Sequence, residues 1–249
     1  MRVLGRWLLL LAVAALALQL FFVLRIAAMA VVDPQSTAFQ RSEAWQIAVH
    51  GRANGKKEWA QRWVPYAQIS DNLKRAVIAS EDGEFVNHYG VEWDAIEAAR
   101  KRNERAEEIA ARRAAQAART GKAVRPPKLR GGSTITQQLA KNLFLSGERT
   151  LLRKGQELVL ATALELLLDK RRILEIYLNN VEWGEGVFGA EAAAQHYWRK
   201  PASQLTPYEA ARLAVMLPRP RYFEKRSNSG YLANRANLIV GRMRHAELP

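Results

Sequence analysis

An uninterrupted run of uncharged residues near the N-terminus constrains this chain more than any other feature. The run extends from Trp7 to Leu24, which is 18 residues, and the apolar character resumes after Arg25 through Val32. About 20 apolar residues span the hydrocarbon core of a bilayer, and an arginine near one end can extend its charge to the interface. We therefore predict one transmembrane anchor over residues 7–32.

A cleaved signal peptide is the alternative interpretation, because Ala28-Met29-Ala30 resembles a cleavage site. The apolar region of a signal peptide is usually about 7–15 residues long, which is shorter than the run found here. Arg25 also lies unfavourably close to that site. Both differences favour an anchor that is retained.

The charges around the anchor predict which side of the membrane each part occupies. Arg2 and Arg6 favour a short cytoplasmic N-terminus over residues 1–6. The rest of the chain would then lie outside the cytoplasm, which argues against a nucleic-acid partner. The net charge of +14 instead favours an anionic membrane surface or a phosphorylated substrate. The sequence has no cysteine, which excludes disulfides and thiolate metal sites.

The body of the chain shows mostly helical periodicity from residue 70 onward. Predicted helices begin at Ser70 or Asp71, extend from Leu151 to Leu168 and from Lys170 to Asn179, and begin again at the Thr206-Pro207-Tyr208-Glu209 capping box. The last of these should stop at Pro218. No series of alternating strands is found, so we predict a mainly α domain over residues 64–249. Residues 33–63 are predicted to be a linker or membrane-proximal region, in which a small strand can occur.

One segment, from Arg100 to Arg130, differs in its charge. It holds eleven Lys and Arg against three Glu, a net charge of +8 within the chain's +14. Its first part, to Ala118, has good helix propensity, whereas Gly121 and Pro126-Pro127 break a helix. A solvated helix with a loop fits this composition, and so does a contact with anionic lipid headgroups. Connections longer than about 12–15 residues are often lids or disordered, so we predict that this insert is mobile without ligand.

Three carboxylates lie within four residues in the segment Glu81-Asp82-Gly83-Glu84, which Phe85 and His88 follow. Glu81 comes directly after an apolar helical stretch. Partial burial raises the pKa of a carboxyl group towards the working range of a general base. A solvated helix end is the plainer interpretation, so the segment alone makes Glu81 only a candidate.

Glycines and polar side chains are concentrated in residues 131–142, which read GGSTITQQLAKN. The glycines let the backbone approach a ligand closely, and Ser133 or Thr134 can cap a helix whose free N–H groups would bind an anion. Three polar side chains would follow on one face of that helix: Gln138, Lys141 and Asn142. A well-capped surface helix is the alternative, although such a helix has little use for so many amides and hydroxyls beside a lysine.

Two further segments lie on predicted helices. In Arg153-Lys154-Gly155-Gln156-Glu157 both cations lie one helical turn before the carboxylate. This is either a surface salt-bridge set worth under about 1 kcal/mol or a site that handles phosphate. The segment from Lys170 to Asn180, with the glycines after it, mostly has the pattern of a structural element.

Together these segments resemble the family 51 glycosyltransferases, the peptidoglycan glycosyltransferase module, and specifically its monofunctional biosynthetic form. The resemblance extends from about Trp59 to Tyr222, and GGSTITQQLAKN is a very specific match. It implies a lysozyme-like helical domain of two lobes, held at the periplasmic face of the inner membrane with a membrane-proximal cleft. The implied partners are lipid II, the growing glycan strand and the membrane, with the cell-wall synthesis machinery as a further candidate.

The resemblance also implies a single displacement at the anomeric carbon of the growing strand, with undecaprenyl diphosphate as the leaving group. Glu81 would be the general base, and Glu157 would assist departure of the leaving group, directly or through Mg²⁺ bridging diphosphate oxygens. No organic cofactor is implied, and His88 would brace its loop. The remaining matched residues would hold phosphate and sugar: Ser133, Thr134, Gln138, Lys141, Asn142, Arg153 and Lys154.

Two other functions fit parts of the sequence. A lysozyme-type hydrolase also uses two carboxylates, but it has no diphosphate to neutralise, so the cations beside Glu157 favour transfer. A non-enzymatic membrane scaffold would use the basic segment and would leave Glu81 without a purpose. Neither Ser-x-x-Lys nor Lys-Thr-Gly occurs in the sequence, so no transpeptidase activity is expected.

A deletion tests the Arg-rich insert. Removing residues 104–125 takes away six Lys and Arg together with three Glu. If the insert contacts anionic headgroups, turnover in anionic vesicles should fall more than turnover in neutral vesicles, because each cation near such a surface contributes about 1 kcal/mol. Equal turnover by both proteins in both vesicles would identify a passive insert.

Overall fold

The computed structural model describes residues 2–50, 59–118, 132–148 and 150–249, and most of them are helical. Eleven α-helices lie in these ranges: α1 (Arg2–Ala28), α2 (Ala38–His50), α3 (Asp71–Glu81), α4 (Trp93–Ala118), α5 (Ile135–Phe144), α6 (Leu151–Leu167), α7 (Lys170–Asn180), α8 (Ala190–Trp198), α9 (Pro207–Met216), α10 (Pro220–Glu224) and α11 (Gly230–Met243). Short 3₁₀ turns lie at Tyr66–Gln68, Phe85–Asn87 and Ala202–Gln204. The prediction of a mainly α chain is confirmed.

A small sheet with the order β1-β3-β2 lies among these helices. Its strands are β1 (Ala60–Gln61), β2 (Glu182–Gly184) and β3 (Val187–Phe188). β1 runs parallel to β3, with Ala60 opposite Val187, and β2 is antiparallel to β3. Strands of two or three residues are too short to leave an alternating pattern, which is why the sequence shows no series of strands.

Side-chain caps fix where the predicted helices begin. Ser70, and not Asp71, accepts the hydrogen bond that caps α3. Thr206 and Glu209 form the predicted capping box, with Pro207 as the first residue of α9, and that helix ends before Pro218. α6 and α7 match their predicted segments within one residue.

The helices pack as two groups, in agreement with the predicted two-lobed domain. α3, α9 and α11 pack against one another, whereas α5 packs against α2, α6 and α7. One continuous apolar cluster runs through both groups, and it includes Leu73, Leu139, Leu164 and Ile176. The cavity described below lies beside α5 and α6.

Among the described residues, α1 is the one helix long and apolar enough to span a membrane, over Val3–Ala28. It ends four residues before Val32, the predicted boundary, because its last turn enters the folded domain. Ile26 and Met29 are 0 and 4 % exposed. Arg172 donates from Nε to the Met29 carbonyl at 2.8 Å and holds the end of the helix against α7.

α1 contacts the second group of helices directly. The side-chain amides of Gln19 and Gln156 donate to each other at 2.9 and 3.1 Å, which joins α1 to α6. Phe22 packs edge to face on Phe144 of α5, with ring centroids 5.3 Å apart. The Arg25 guanidinium lies 5.3 Å from the centroid of the same Phe144 ring. The anchor is therefore part of the packing of the domain as well as a tether.

α4 contains the first part of the Arg-rich insert, for which the sequence predicts a helix. Some of its cations are paired along the helix: Lys101 Nζ lies 2.6 Å from Glu97, and Arg100 Nε lies 3.6 Å from Glu104. Residues 119–131 lie outside the described residues. The mobility expected of the insert therefore stays a prediction.

A double-mutant cycle measures how strongly the anchor is coupled to α6. Gln19→Leu or Gln156→Leu alone leaves the other amide without its partner, so each should lower the midpoint of thermal unfolding in detergent. The double variant should recover part of that loss, with a coupling free energy of about 1 kcal/mol. Strictly additive effects of the two substitutions would show that the amide pair contributes nothing.

Candidate active site

A cavity of about 430 Å³ lies against α5, α6 and the link between α7 and β2. Seven of the nine predicted site residues line it: Ser133, Gln138, Lys141, Asn142, Arg153, Lys154 and Glu157. Phe39, Leu145, Val181 and Leu217 supply the apolar part of its wall. Two predicted residues, Glu81 and Thr134, are absent from the wall. The individual roles in substrate binding stay predictions.

Thr134 is the N-cap residue of α5 and is not part of the cavity wall. Its hydroxyl donates to the Gly90 carbonyl at 2.6 Å and accepts from the Gln137 N–H at 3.1 Å. The residue is only 2 % exposed. This position does not fit the predicted contact of Thr134 with substrate, because the hydroxyl faces the protein and positions α5.

The N-terminus of α5 is occupied by a protein carboxylate. The Ile135 N–H donates to Asp82 Oδ2 at 2.9 Å. The expectation that free N–H groups at this helix end bind an anion is therefore wrong. Attraction of an anionic ligand falls instead to the cationic side chains of the cavity, which are Lys141, Arg153 and Lys154.

Glu157 organises two of those cations on α6. Arg153 Nη1 donates to Glu157 Oε2 at 2.9 Å, and Lys154 Nζ contacts Oε1. The Glu157 side chain is 4 % exposed, and a carboxylate this deeply buried needs such partners. Lys154 Nζ also lies 3.5 Å from Ser133 Oγ, which brings the start of α6 to the segment before α5. The carboxylate thus fixes where both cations stand.

Glu81 ends α3 and is connected to the cavity through Gln138. The Gln138 amide donates from Nε2 to Glu81 Oε2 at 2.9 Å. Burial raises the pKa of Glu81 above its ordinary value, whereas hydrogen bonds from Gln138 and Ser80 lower it. The shift has the predicted direction, and it moves this carboxyl towards the range of a general base.

Tyr177 on α7 is a functional candidate that the sequence analysis missed. Its hydroxyl donates to Gln138 Oε1 at 2.9 Å, so the NH₂ end of that amide points at Glu81. Tyr177 is fully enclosed, and burial is the main cause that raises its pKa. The available signal was chemical, because a buried tyrosine hydroxyl needs a hydrogen-bond partner.

His88 braces the loop after α3, as the resemblance implies. Its Nδ1 accepts from the Gly90 N–H at 3.1 Å, so the proton is assigned to Nε2, which lies 2.8 Å from Asp82 Oδ1. Asp82, His88 and Glu92 have potential metal-ligand atoms within 4.8 Å of one another. Both His88 nitrogens and both Asp82 oxygens are already used in these hydrogen bonds, so the group reads as a structural network.

Glu182 is a second candidate that the sequence analysis missed. It begins β2, lines the same cavity as Glu157, and accepts from Arg221 Nε at 2.7 Å. Burial is the main cause that raises the pKa of Glu182 to about 7, and the nearby Glu43 and Glu224 add to this, while Arg221 opposes it. The sequence contains no signal for Glu182, because the charged residues that act on it lie about 40 and 140 residues away along the chain.

The carboxyl groups and cations of this site have the chemistry that a transfer reaction needs. A carboxyl with a raised pKa can take a proton from a hydroxyl, while nearby cations stabilise a departing anionic group. Here the Gln138 amide connects Glu81 to the cavity, which Arg153 and Lys154 also line. With α1 long and apolar enough to span a membrane, this arrangement fits an enzyme of the group-transfer class.

Comparison with known proteins assigns the family. A family model described as transglycosylase matches residues 48–244. The chain therefore belongs to the transglycosylase family.

Related proteins can be aligned with almost the whole of this chain. A biosynthetic peptidoglycan transglycosylase of Burkholderia thailandensis is 53 % identical over 95 % of this chain and 84 % of its own length. The protein of the same name from Paraburkholderia xenovorans is 50 % identical over 96 % of this chain and 90 % of its own length. The protein of the same name from Herminiimonas arsenicoxydans is 50 % identical over 98 % of this chain and 96 % of its own length.

Tyr177→Phe tests how the candidate base is positioned. Without the Tyr177 hydroxyl the Gln138 amide is free to rotate, and Glu81 loses a hydrogen bond that favours its ionised form. The pKa of Glu81 then rises further, so a higher pH is needed to deprotonate it. The acidic limb of the profile of kcat/KM against pH should move to higher pH, and kcat should fall about three- to tenfold.

Tyr208→Phe is the control for this experiment, because Tyr208 is partly exposed on α9 and is outside the cavity. An unchanged acidic limb in Tyr177→Phe would show that the amide keeps its orientation without the hydroxyl. The proposed positioning role would then be wrong.

Proposed function

We infer that this protein is a peptidoglycan glycosyltransferase, which extends glycan strands from lipid-diphosphate-linked sugar donors. Membership of the transglycosylase family supports the reaction class. The observation that carries the inference is the placement of Arg153, Lys154 and Glu157 on one cavity with Gln138, which is bonded to Glu81. A site for group transfer needs both a base and positive charge for the leaving group. The cavity carries the cations, and Glu81 is connected to it through Gln138.

We propose the following division of roles for the transfer step. Glu81 accepts the proton of the 4-hydroxyl of lipid II as that oxygen bonds to the anomeric carbon of the growing strand. The bond from this carbon to the diphosphate breaks, and the electron pair leaves with undecaprenyl diphosphate. Attack opposite the leaving group inverts the α-linked donor into a β-1,4 product. Gln138 keeps the Glu81 carboxylate oriented during the transfer.

The cations act at the other end of the breaking bond. We propose that Arg153 and Lys154 stabilise the negative charge that grows on the diphosphate, with Lys141 as a third cation on the cavity. Glu157 holds the first two in place through its carboxylate oxygens. Ser133 and Asn142 supply hydrogen bonds to phosphate or sugar. Hydrolysis of a finished strand needs no such cations, so the arrangement supports transfer over a lysozyme-type reaction.

The donor set at Glu157 does not fit a metal site built by the protein. Its carboxylate already contacts two cations, which would repel a divalent ion placed beside them. We therefore propose that the diphosphate oxygens, and not a cluster of carboxylates, hold any Mg²⁺ that takes part. No step above depends on it.

We propose that α1 crosses the inner membrane and that the folded domain lies on the periplasmic side. Arg2 and Arg6 before the apolar span support this orientation. Leu151 and Leu152 expose 93 and 87 % of their surface directly before Arg153, which supports a cavity close to the membrane surface. Lipid II and the growing strand are then reached from the bilayer. Other proteins of cell-wall synthesis are proposed as further partners.

The decisive assay incubates the detergent-solubilised protein with labelled lipid II and separates the products by size. The wild-type protein should form long glycan strands. Glu81→Gln should slow polymerisation about 10²- to 10⁴-fold, which is the usual contribution of a positioned general base.

Glu84→Gln is the matched control, because Glu84 is an exposed carboxylate of the same segment that bonds Asn87. It should polymerise like the wild type. If no protein consumes lipid II, the donor assignment fails, and cleavage of finished peptidoglycan becomes the next assay.

A further inference from the structure

Glu182 is a carboxylate of the cavity that the transfer mechanism leaves unused. It lies at the start of β2, next to the apolar wall formed by Val181, Leu217 and Phe39. Its side chain is 9 % exposed, so it has lost most of its contact with bulk water. A buried acid on the wall of a substrate cavity is costly unless it is paired or used.

Only one of the two Glu182 oxygens has a protein partner among the residues that the structure describes. Oε1 accepts from Arg221 Nε at 2.7 Å. Arg221 also pairs through Nη2 with Glu43 of α2, so its charge is divided between two carboxylates. No protein hydrogen bond reaches Oε2 in the described part of the chain. Glu182 thus combines an oxygen held in place with an oxygen that has no protein donor within the described ranges.

We propose that Glu182 is a further substrate-binding residue, whose Oε2 accepts a hydrogen bond from a hydroxyl or amide N–H of a sugar ring. A phosphate is the wrong ligand for this part of the wall, because two anionic groups in contact repel each other. Phosphate is expected beside Arg153 and Lys154, whose cations lie on the same cavity. A sugar linked to that phosphate carries neutral donors into the rest of the cavity, where a few placed polar groups within an apolar wall fix its orientation.

The environment of Glu182 fits this role. Burial raises its pKa to about 7, and the charged groups that act on it are Arg221, Glu43 and Glu224. Since the pKa is raised, the ionised form, which is the stronger acceptor, predominates above about pH 7 and is lost below it. Sugar binding through this oxygen should therefore weaken as the pH falls through 7.

The proposed role of Glu182 rests on the proposed function. The experiment therefore tests the transfer reaction and the sugar contact of Glu182 separately. Turnover of lipid II by the wild-type protein first establishes the reaction. Equilibrium binding of lipid II is then measured in the Glu81→Gln background of the full chain in detergent, between pH 6 and pH 8, where no product forms. Glu182→Gln is the test substitution, because it keeps the shape and the acceptor for Arg221 and removes the charge.

We expect Glu182→Gln to weaken lipid II binding about 10- to 100-fold at pH 8, which is the scale of a hydrogen bond to a charged group. The dependence on pH around 7 should also disappear. Binding of inorganic pyrophosphate, which has no sugar, should stay the same or become tighter. Glu43→Gln is the matched control: it removes the other carboxylate of Arg221 but is outside the cavity, so lipid II binding should stay within about twofold.

Three results would overturn the proposal. Unchanged lipid II binding by a folded Glu182→Gln variant leaves Glu182 with only a structural tie to Arg221. An equal loss in Glu43→Gln assigns the effect to Arg221 and to the packing of α2. If Glu182→Gln weakens the binding of pyrophosphate as well as that of lipid II, the substitution affects phosphate binding and not sugar binding. If Glu182→Gln does not fold, Glu182→Asp replaces it, since the shorter side chain keeps the charge and withdraws the oxygen from the ligand, and unchanged binding then counts against the proposal.

Discussion

The pairing of Asp82 is the contact on which the arrangement of the site depends. Asp82 directly follows Glu81 at the end of α3, and it is 4 % exposed. One of its oxygens accepts from the Ile135 N–H where α5 begins, and the other lies beside His88. A buried carboxylate without these partners would be costly, so the end of α3 and the start of α5 are fixed relative to each other. Because Glu81 precedes Asp82 and Gln138 lies one turn into α5, the same pairing brings the candidate base to its amide.

The first turn of α6 holds charges that do not favour the helix by themselves. Thr150 caps this helix by accepting from the Arg153 N–H, so Arg153 and Lys154 fall at its positive end. Cations at this end oppose the helix dipole by about 0.3–1 kcal/mol each, and Glu157 compensates for them from the next turn. A bound diphosphate would meet the cations and the positive helix end together. Such cations lower the stability of the protein without ligand, and a bound anion would offset this cost. This behaviour is expected of a binding site.

The parts of the molecule that local chemistry determines were predictable. The caps at Ser70 and Thr206 and the spacing of the Gln138 face follow from neighbouring residues, and the structure has them. The sequence did not indicate that Asp82, from 53 residues away, occupies the start of α5, so a free anion site was expected there. Glu182 was missed for the same reason, since its burial and its partner Arg221 depend on how β2, α2 and α10 pack. Local motifs identify candidates, whereas the state of each buried carboxyl depends on contacts between distant segments.

The contact between α1 and α6 relates the anchor to the cavity. Gln19 is a polar residue within the apolar span, where an unpaired amide is costly, and its partner Gln156 precedes Glu157 directly. A flexible tether would let the domain sample many heights above the bilayer. Here the amide pair holds α6 against α1, and the ring contact at Phe144 holds α5 against it. With α1 in the bilayer as proposed, the height of the cations would follow from the position of α1. A substrate whose diphosphate is held at the membrane surface by its lipid also has a restricted height. In the proposed mechanism, fixing both partners to the same bilayer would lower the orientational cost of bringing diphosphate and cations together, which is the entropic advantage expected when two reactants share one frame.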